Sequence, residues 1–136
     1  MKYTPGPWRW EINETSKTVH LVGGKPMFDL TIIQPARWGI GSSTLMVRDT
    51  ANYGMNLLHK IHERRDWINP FFGRDHNASW CSGVKHPDMQ LIESAPDLLE
   101  ALKSVLDMVS SGKTNFGLLE YARSVIAKAT GKEMAE

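Results

Sequence analysis

Arg64, Arg65, Trp67, Phe71, Phe72, Arg74, His76 and Trp80 crowd into one short segment, with Arg37-Trp38 upstream. A guanidinium group can grip a phosphate through two parallel hydrogen bonds, and an aromatic face can stack on a base. These residue types therefore suit a nucleotide or a short single strand. In such a site Arg64, Arg65 and Arg74 would meet phosphate, Trp67 or Trp80 would stack, and Trp38 and His76 would line the walls. The same types also anchor protein interfaces, where Arg and Trp carry much of the binding energy. They equally suit a plain structural role, with the aromatic rings tucking a loop onto the core and the arginines left in water.

A second constellation is His76-x4-Cys81-x4-His86, with His59 and His62 upstream. Zinc takes imidazole nitrogen and thiolate at tetrahedral separations, but this spacing matches none of the recurrent zinc patterns, so no metal is assigned. Cys81 beside a histidine would be a nucleophile and base only with a spatial arrangement that no local signature here supports. The chain has no phosphate-cradling glycine loop, no dinucleotide fingerprint and no HExxH. The expectation is a binding protein without cofactor, and not an enzyme.

At 136 residues, 41% hydrophobic and 23% charged, the chain reads as one globular domain over 1–136. No stretch is apolar enough to span a bilayer, and Met-Lys-Tyr-Thr-Pro-Gly-Pro lacks the apolar centre of a secretory signal. One cysteine, Cys81, excludes an intrachain disulfide and fits a reducing compartment. Residues 1–86 carry eleven Lys/Arg against seven Asp/Glu, and residues 87–136 five against eight, so a net charge of +1 is the sum of +4 and −3. The front half is the place to meet an anion, but this excess is too small for a duplex-DNA surface.

These side chains need elements to position them. Trp8-Arg9-Trp10-Glu11-Ile12 alternates at period two, which puts Trp8, Trp10 and Ile12 on one strand face. Trp8 is expected in the core. Thr18 to Val22 and Met27 to Ile33 read as a hairpin around Gly23-Gly24-Lys25-Pro26, and Thr44 to Arg48 as a fourth strand. Asp49 or Thr50 can cap a middle helix through Tyr53, Leu57, Leu58 and Ile61 that ends near Arg65. Asp66 to Val84 then reads as a long ordered loop. Helical periodicity starts at Pro87; Pro96 suits the first turn of a further helix, Gly112 its end, and Gly131 the end of a last one. Leu98, Leu102, Val105, Leu118, Val125 and Ile126 are expected to be buried in two facing stripes. The predicted fold class is α+β: an N-terminal antiparallel sheet of about four strands packed by C-terminal helices, with a middle helix and a long ordered loop.

Thr4-Pro5-Gly6-Pro7-Trp8, the run Leu91 to Leu106 containing LIESAPDLLEAL, and Ala122 to Gly131, ARSVIAKATG, follow one another in an order that resembles a group of small bacteriophage and prophage proteins. The resemblance implies a phage accessory protein working in the cytoplasm of the infected or lysogenic bacterium. Such proteins commonly block host antiviral defence. The leading mechanism under that association is sequestering a nucleotide-derived immune signal, and the alternative is binding and occluding a host defence protein; a zinc-dependent enzyme using His76, Cys81 and His86 is the third reading and ranks below both. A homo-oligomer sharing a closed pocket favours the first, and a strongly acidic or flat hydrophobic surface favours the second.

Overall fold

The computed structural model describes residues 3–37, 39, 41–51, 55–70 and 81–132, without the side chains of 69, 70, 81 and 82. The chain forms two compact units, residues 1–85 and 86–136. The first holds a five-stranded antiparallel sheet in sequential order: β1 (Arg9–Asn13), β2 (Thr18–Gly23), β3 (Leu30–Arg37), β4 (Ser43–Arg48) and β5 (Leu58–Lys60). The second holds two helices, α1 (Pro87–Ser111) and α2 (Phe116–Ala129). The fold is α+β, with one strand more than the alternation predicts.

Asn13 closes the β1–β2 connection by accepting from Thr15 N and Ser16 N, both at 3.0 Å. Leu21, Val22, Ile32 and Val47 supply buried apolar side chains from three adjacent strands. The TPGPW segment is a strap over the strand ends. Thr4 is fully buried, Trp8 Nε1 donates to the Thr4 carbonyl at 2.8 Å, and Gly24 N donates to the Pro5 carbonyl at 2.8 Å. Arg48, at the end of β4, donates to Thr4 Oγ1 through Nη2 at 2.9 Å and Nε at 3.3 Å. Gly23 is the floor of this contact: a Cβ there would lie 2.6 Å from the Pro5 carbonyl oxygen and 3.0 Å from Thr4 Cγ2 and Trp8 Cδ1. Trp8 is half-buried in this strap, whereas Trp10 and Ile12 are 63% and 68% exposed.

The middle helix does not form. Asp49 Oδ1 does accept a local amide, Ala51 N at 3.0 Å, but as an Asx turn, and Leu58–Lys60 then pairs with β4 in the register Val47↔His59. Two single 3₁₀ turns, Ile61–Glu63 and Arg65–Trp67, follow in place of a helix ending near Arg65, while Tyr53 lies outside the described residues. The long loop is also more regular at its ends than its composition suggests. β6 (Ile68–Pro70) and β7 (Cys81–Val84) pair antiparallel as a second, two-stranded sheet.

In the second unit α1 runs unbroken through Pro96. Its start is fixed earlier, by buried Pro87 and by His86, whose Nδ1 accepts from Asp88 N at 3.1 Å. Pro96 removes one helical hydrogen bond without ending the helix. α1 stops at Gly112 in the left-handed conformation. α2 ends in a Schellman motif: Lys132 N donates to Ala127 O at 2.9 Å and Gly131 N to Lys128 O at 3.2 Å, with Gly131 at φ 68°. The ATG tail of the ARSVIAKATG run is thus a helix stop.

The helices pack as a hairpin, and the line of contact differs from the expected stripes. Ala101, Val125 and Ala129 are buried, with Leu98, Val105 and Leu118 half-buried beside them. Leu102 and Ile126 are 66% and 55% exposed. With 3.6 residues per turn, Leu102 sits about 100° around α1 from Ala101. The helix pair has placed the smaller residue inside, where two backbones can approach closely.

Candidate functional site

The sheet delivers Arg48-Asp49 to one end of β4, β5 brings His59 alongside, and the two 3₁₀ turns present Arg64 and Trp67 to the same place. Arg64 is held there by two carboxylates. Its Nε and Nη2 donate to the two oxygens of Asp66, each at 2.9 Å, and Nη1 donates to Asp49 Oδ2 at 3.3 Å. The guanidinium carbon lies 4.2 Å above the Trp67 ring, and His59 meets that ring edge-on at 6.0 Å and 71°. His59 Nε2 is 3.8 Å from the same Asp49 oxygen. Trp67 is buried, and its backbone carbonyl accepts from Lys85 N at 2.7 Å.

The electrostatics follow from this geometry. Desolvation pulls the Asp49 carboxyl upward, but the Ala51 amide, the Arg64 guanidinium and His59 outweigh it, leaving its pKa below the ordinary carboxylate value. The bidentate bond from Arg64 lowers Asp66 in the same direction, and Asp66 with Asp49 in turn raises Arg64. Three of the five guanidinium donors are already satisfied by protein oxygen, and the ring beneath is enclosed. As a chemical unit, the cluster fastens the 3₁₀ turns to the end of β4.

Of the expected ligand site, Arg64 and Trp67 are brought together, but against each other. Arg65 is exposed on the same turn. Trp38, Arg74, His76 and Trp80 lie outside the described residues. Of the His76, Cys81 and His86 set, only the His86 side chain is described; it is fully buried as the α1 cap. His62 Nδ1 stands 3.1 Å from Thr44 Oγ1. Among the described residues no group of three or more His, Cys, Asp or Glu side chains is placed to hold a metal ion. Sequence reasoning missed Asp49 and Asp66 as the partners of Arg64. The Arg-x-Asp spacing at 64 and 66 was a readable signal for one of them; Asp49 is joined only by the sheet.

A different surface stands open at the far end of the first unit. β1 is one edge of the five-stranded sheet. Trp10 pairs with Leu21 and Ile12 with Val19, so these four share a face, on which Trp10, Ile12 and Val19 are all exposed. An open cleft of about 630 Å³ adjoins them, lined by Glu11, Ile12, Asn13, Glu14, Thr18 and His20. Two carboxylates on its wall suit a cationic group better than a phosphate.

No helix of the described residues is long and apolar enough to cross a membrane. No curated protein and no solved structure gives a match. Residues 1–133 do match a family described as Salmonella phage P22 protein Y8K6, and the chain belongs to that phage protein family.

Proposed function

We propose that this phage protein acts by binding another protein and not by catalysis, using the β1 edge and the Trp10, Ile12 and Val19 surface, and that its target is a component of host antiviral defence. The observation that carries the proposal is a tryptophan and an isoleucine, 63% and 68% exposed, on the edge strand of the sheet. Such an edge offers backbone donors and acceptors to an added strand, and alternate side chains supply specificity. Tryptophan is the residue type most enriched among binding hot spots. Glu14, in the turn after β1, and Glu11, which faces the other side of the strand 3.9 Å from Arg9, favour a partner with basic side chains along this edge. The defence target rests on the kind of protein small phage accessory proteins commonly are, an association and not a feature of the site.

Nucleotide capture draws less support from the described side chains. Arg64 spends its hydrogen bonds on Asp49 and Asp66, and Trp67 has its ring under Arg64. Two guanidinium N–H groups remain at Arg64, but a phosphate there would meet the negative charge of Asp49 and Asp66 already bonded to it.

Native mass spectrometry after incubation with extract of a defence-competent bacterium separates the two mechanisms. Retention of a polypeptide that is lost with Trp10→Ala is the expected result, since an exposed side chain can be removed without unfolding the sheet. Retention of a nucleotide-sized mass that is lost with Arg65→Ala would replace protein occlusion by signal capture.

A further inference from the structure

The helical hairpin carries an apolar face of its own. Leu99, Leu102, Leu106 and Val109 of α1 are each more than half exposed, and their 3-4-3 spacing is that of a knobs-into-holes seam. On α2, Ile126 is also more than half exposed and Leu119 is half-buried. The two helices are antiparallel: Lys128, near the end of α2, lies 3.7 Å from Asp97 in the first half of α1, and Gly131 is against Gln90.

Both exposed stripes fall on one side of the hairpin. From the contact line through Leu98, Ala101 and Val105, the α1 stripe lies about 100° further around the helix. From the line through Val125 and Ala129, Ile126 and Leu119 lie about the same rotation around α2. In antiparallel helices that face each other, equal rotations from the contact line lead to the same side. Rotations in the opposite sense bring Asp97 and Lys128 together on the other side, as their ion pair shows. The hairpin is therefore polar on one face and apolar on the opposite one.

We propose that the apolar face is the seat of a second copy of this chain, two hairpins closing face to face into a four-helix bundle. A two-helix layer buries its remaining apolar sector only against another layer, and a two-fold axis through the face lets each copy cover the other. The area is of the right size. Six aliphatic side chains at roughly 100 Å² each give about 600 Å² per copy before the rim is counted, close to the ~800 Å² per partner of a standard interface. Two of the cations flanking the face are paired within each copy. Lys103 is balanced by Glu100 at 3.9 Å and Arg123 by Glu120 at 2.6 Å within each copy. This proposal uses only the helical hairpin and not the reading of the β1 surface.

Sedimentation velocity of the full chain at tens of micromolar tests the proposal. The expected species has twice the 15.3 kDa chain mass. Leu102→Asp should weaken the dimer at least tenfold while leaving the far-ultraviolet circular dichroism unchanged, because Leu102 is exposed within each copy. If Leu102→Asp fails to fold, Leu102→Ser, which adds no charge, must still weaken association at least tenfold. Glu93→Lys, away from the apolar face, should leave the dimer intact. A wild-type chain that stays monomeric, or a dimer indifferent to the folded Leu102 variant, overturns the proposal.

Discussion

The strap at the front of the sheet unit and the contact line of the helical hairpin solve the same problem with opposite means. At the strap, Thr4, Gly23 and Arg48 meet through directional bonds and a backbone approach so close that no side chain fits at residue 23. In the hairpin, Ala101, Val125 and Ala129 are buried along one apolar line, and Leu99, Leu102 and Leu106 beside it are more than half exposed within one copy. A directional lock has few acceptable substitutes, since losing one partner leaves buried polar groups short of hydrogen bonds. An apolar line tolerates change beside it. Sensitivity to mutation should therefore concentrate in the strap, although the helices hold more of the regular structure.

The largest effect is expected from Gly23→Ala. The added methyl would press on the Pro5 carbonyl at 2.6 Å, a backbone atom that cannot swing aside as a side-chain tip can. Overpacking of this kind costs about 2–3 kcal/mol. Chemical denaturation should show a lower midpoint with an unchanged slope. If Gly23→Ala is as stable as the parent, the strap is not the tight element described here.

Thr4→Val comes next. It keeps the side-chain shape but removes the acceptor of two Arg48 hydrogen bonds, at 2.9 and 3.3 Å, in a buried setting. The expected loss is about 1–2 kcal/mol, and Thr4→Ser should restore most of it because the hydroxyl returns. Thermal melts of the two variants side by side distinguish a lost hydrogen bond from lost packing. Serine behaving like valine would make the Thr4 methyl, and not its oxygen, the important group.

What could be read from the sequence follows the same division between local and distant causes. The strands of the first unit show in the alternation of Trp8 to Ile12 and of Thr44 to Arg48, because period two is written into neighbouring residues. Helix ends are legible for the same reason: Gly112 and Gly131 are stop signals within their own turns. The sequence suggests a middle helix because Asp49 does what a cap residue does, accepting a nearby amide, while the pairing of Leu58–Lys60 with β4 is a distant event. The rotational phase of α1 was illegible too. Its apolar residues span a sector wider than one neighbouring helix can cover, so periodicity alone did not choose between Leu102 and Ala101 for the interior. For Arg64 and Trp67 of the candidate ligand site the ambiguity has one cause. Arginine next to tryptophan reads equally as a phosphate site or as a stacked pair, and the deciding partner, Asp49, is supplied by the sheet.

That cluster should give an intermediate effect with a distinctive pH dependence. Asp49→Asn removes a charge bonded to Arg64 and close to His59, at a side chain only partly open to water, and should cost about 1 kcal/mol near neutral pH. The Asp49 pKa is lowered on folding, so its stabilising contribution is fully present above the ordinary carboxylate value, roughly 4. It is lost as pH falls below that value toward the folded pKa. The difference in melting temperature between parent and Asp49→Asn should accordingly shrink with acidification below pH ~4. A difference that grows in acid would mean that Asp49 is held in its protonated form and that the assignment of its partners is wrong.

The smallest effect is expected on the polar face of the hairpin, at Asp97 and Lys128. The ion pair spans 3.7 Å, longer than a hydrogen bond, and both side chains are more than half exposed. Water at such a site weakens the Coulomb attraction, and ordering two flexible side chains opposes what is left. Lys128 also lies in the last turn of α2, where a cation is favourable to the helix end by a few tenths of a kcal/mol at low salt. Lys128→Ala should therefore shift stability by no more than about 0.5 kcal/mol, part of it from the helix end and not from Asp97. A double-mutant cycle with Asp97→Ala isolates the pair: the coupling should be below about 0.5 kcal/mol and should fade between low and physiological salt, as screened exposed charges do. Coupling above about 1 kcal/mol that persists in salt would place the pair out of water. The hairpin would then be enclosed on the face taken here as solvated, and its contrast with the open apolar face, on which the proposed dimer depends, would be gone.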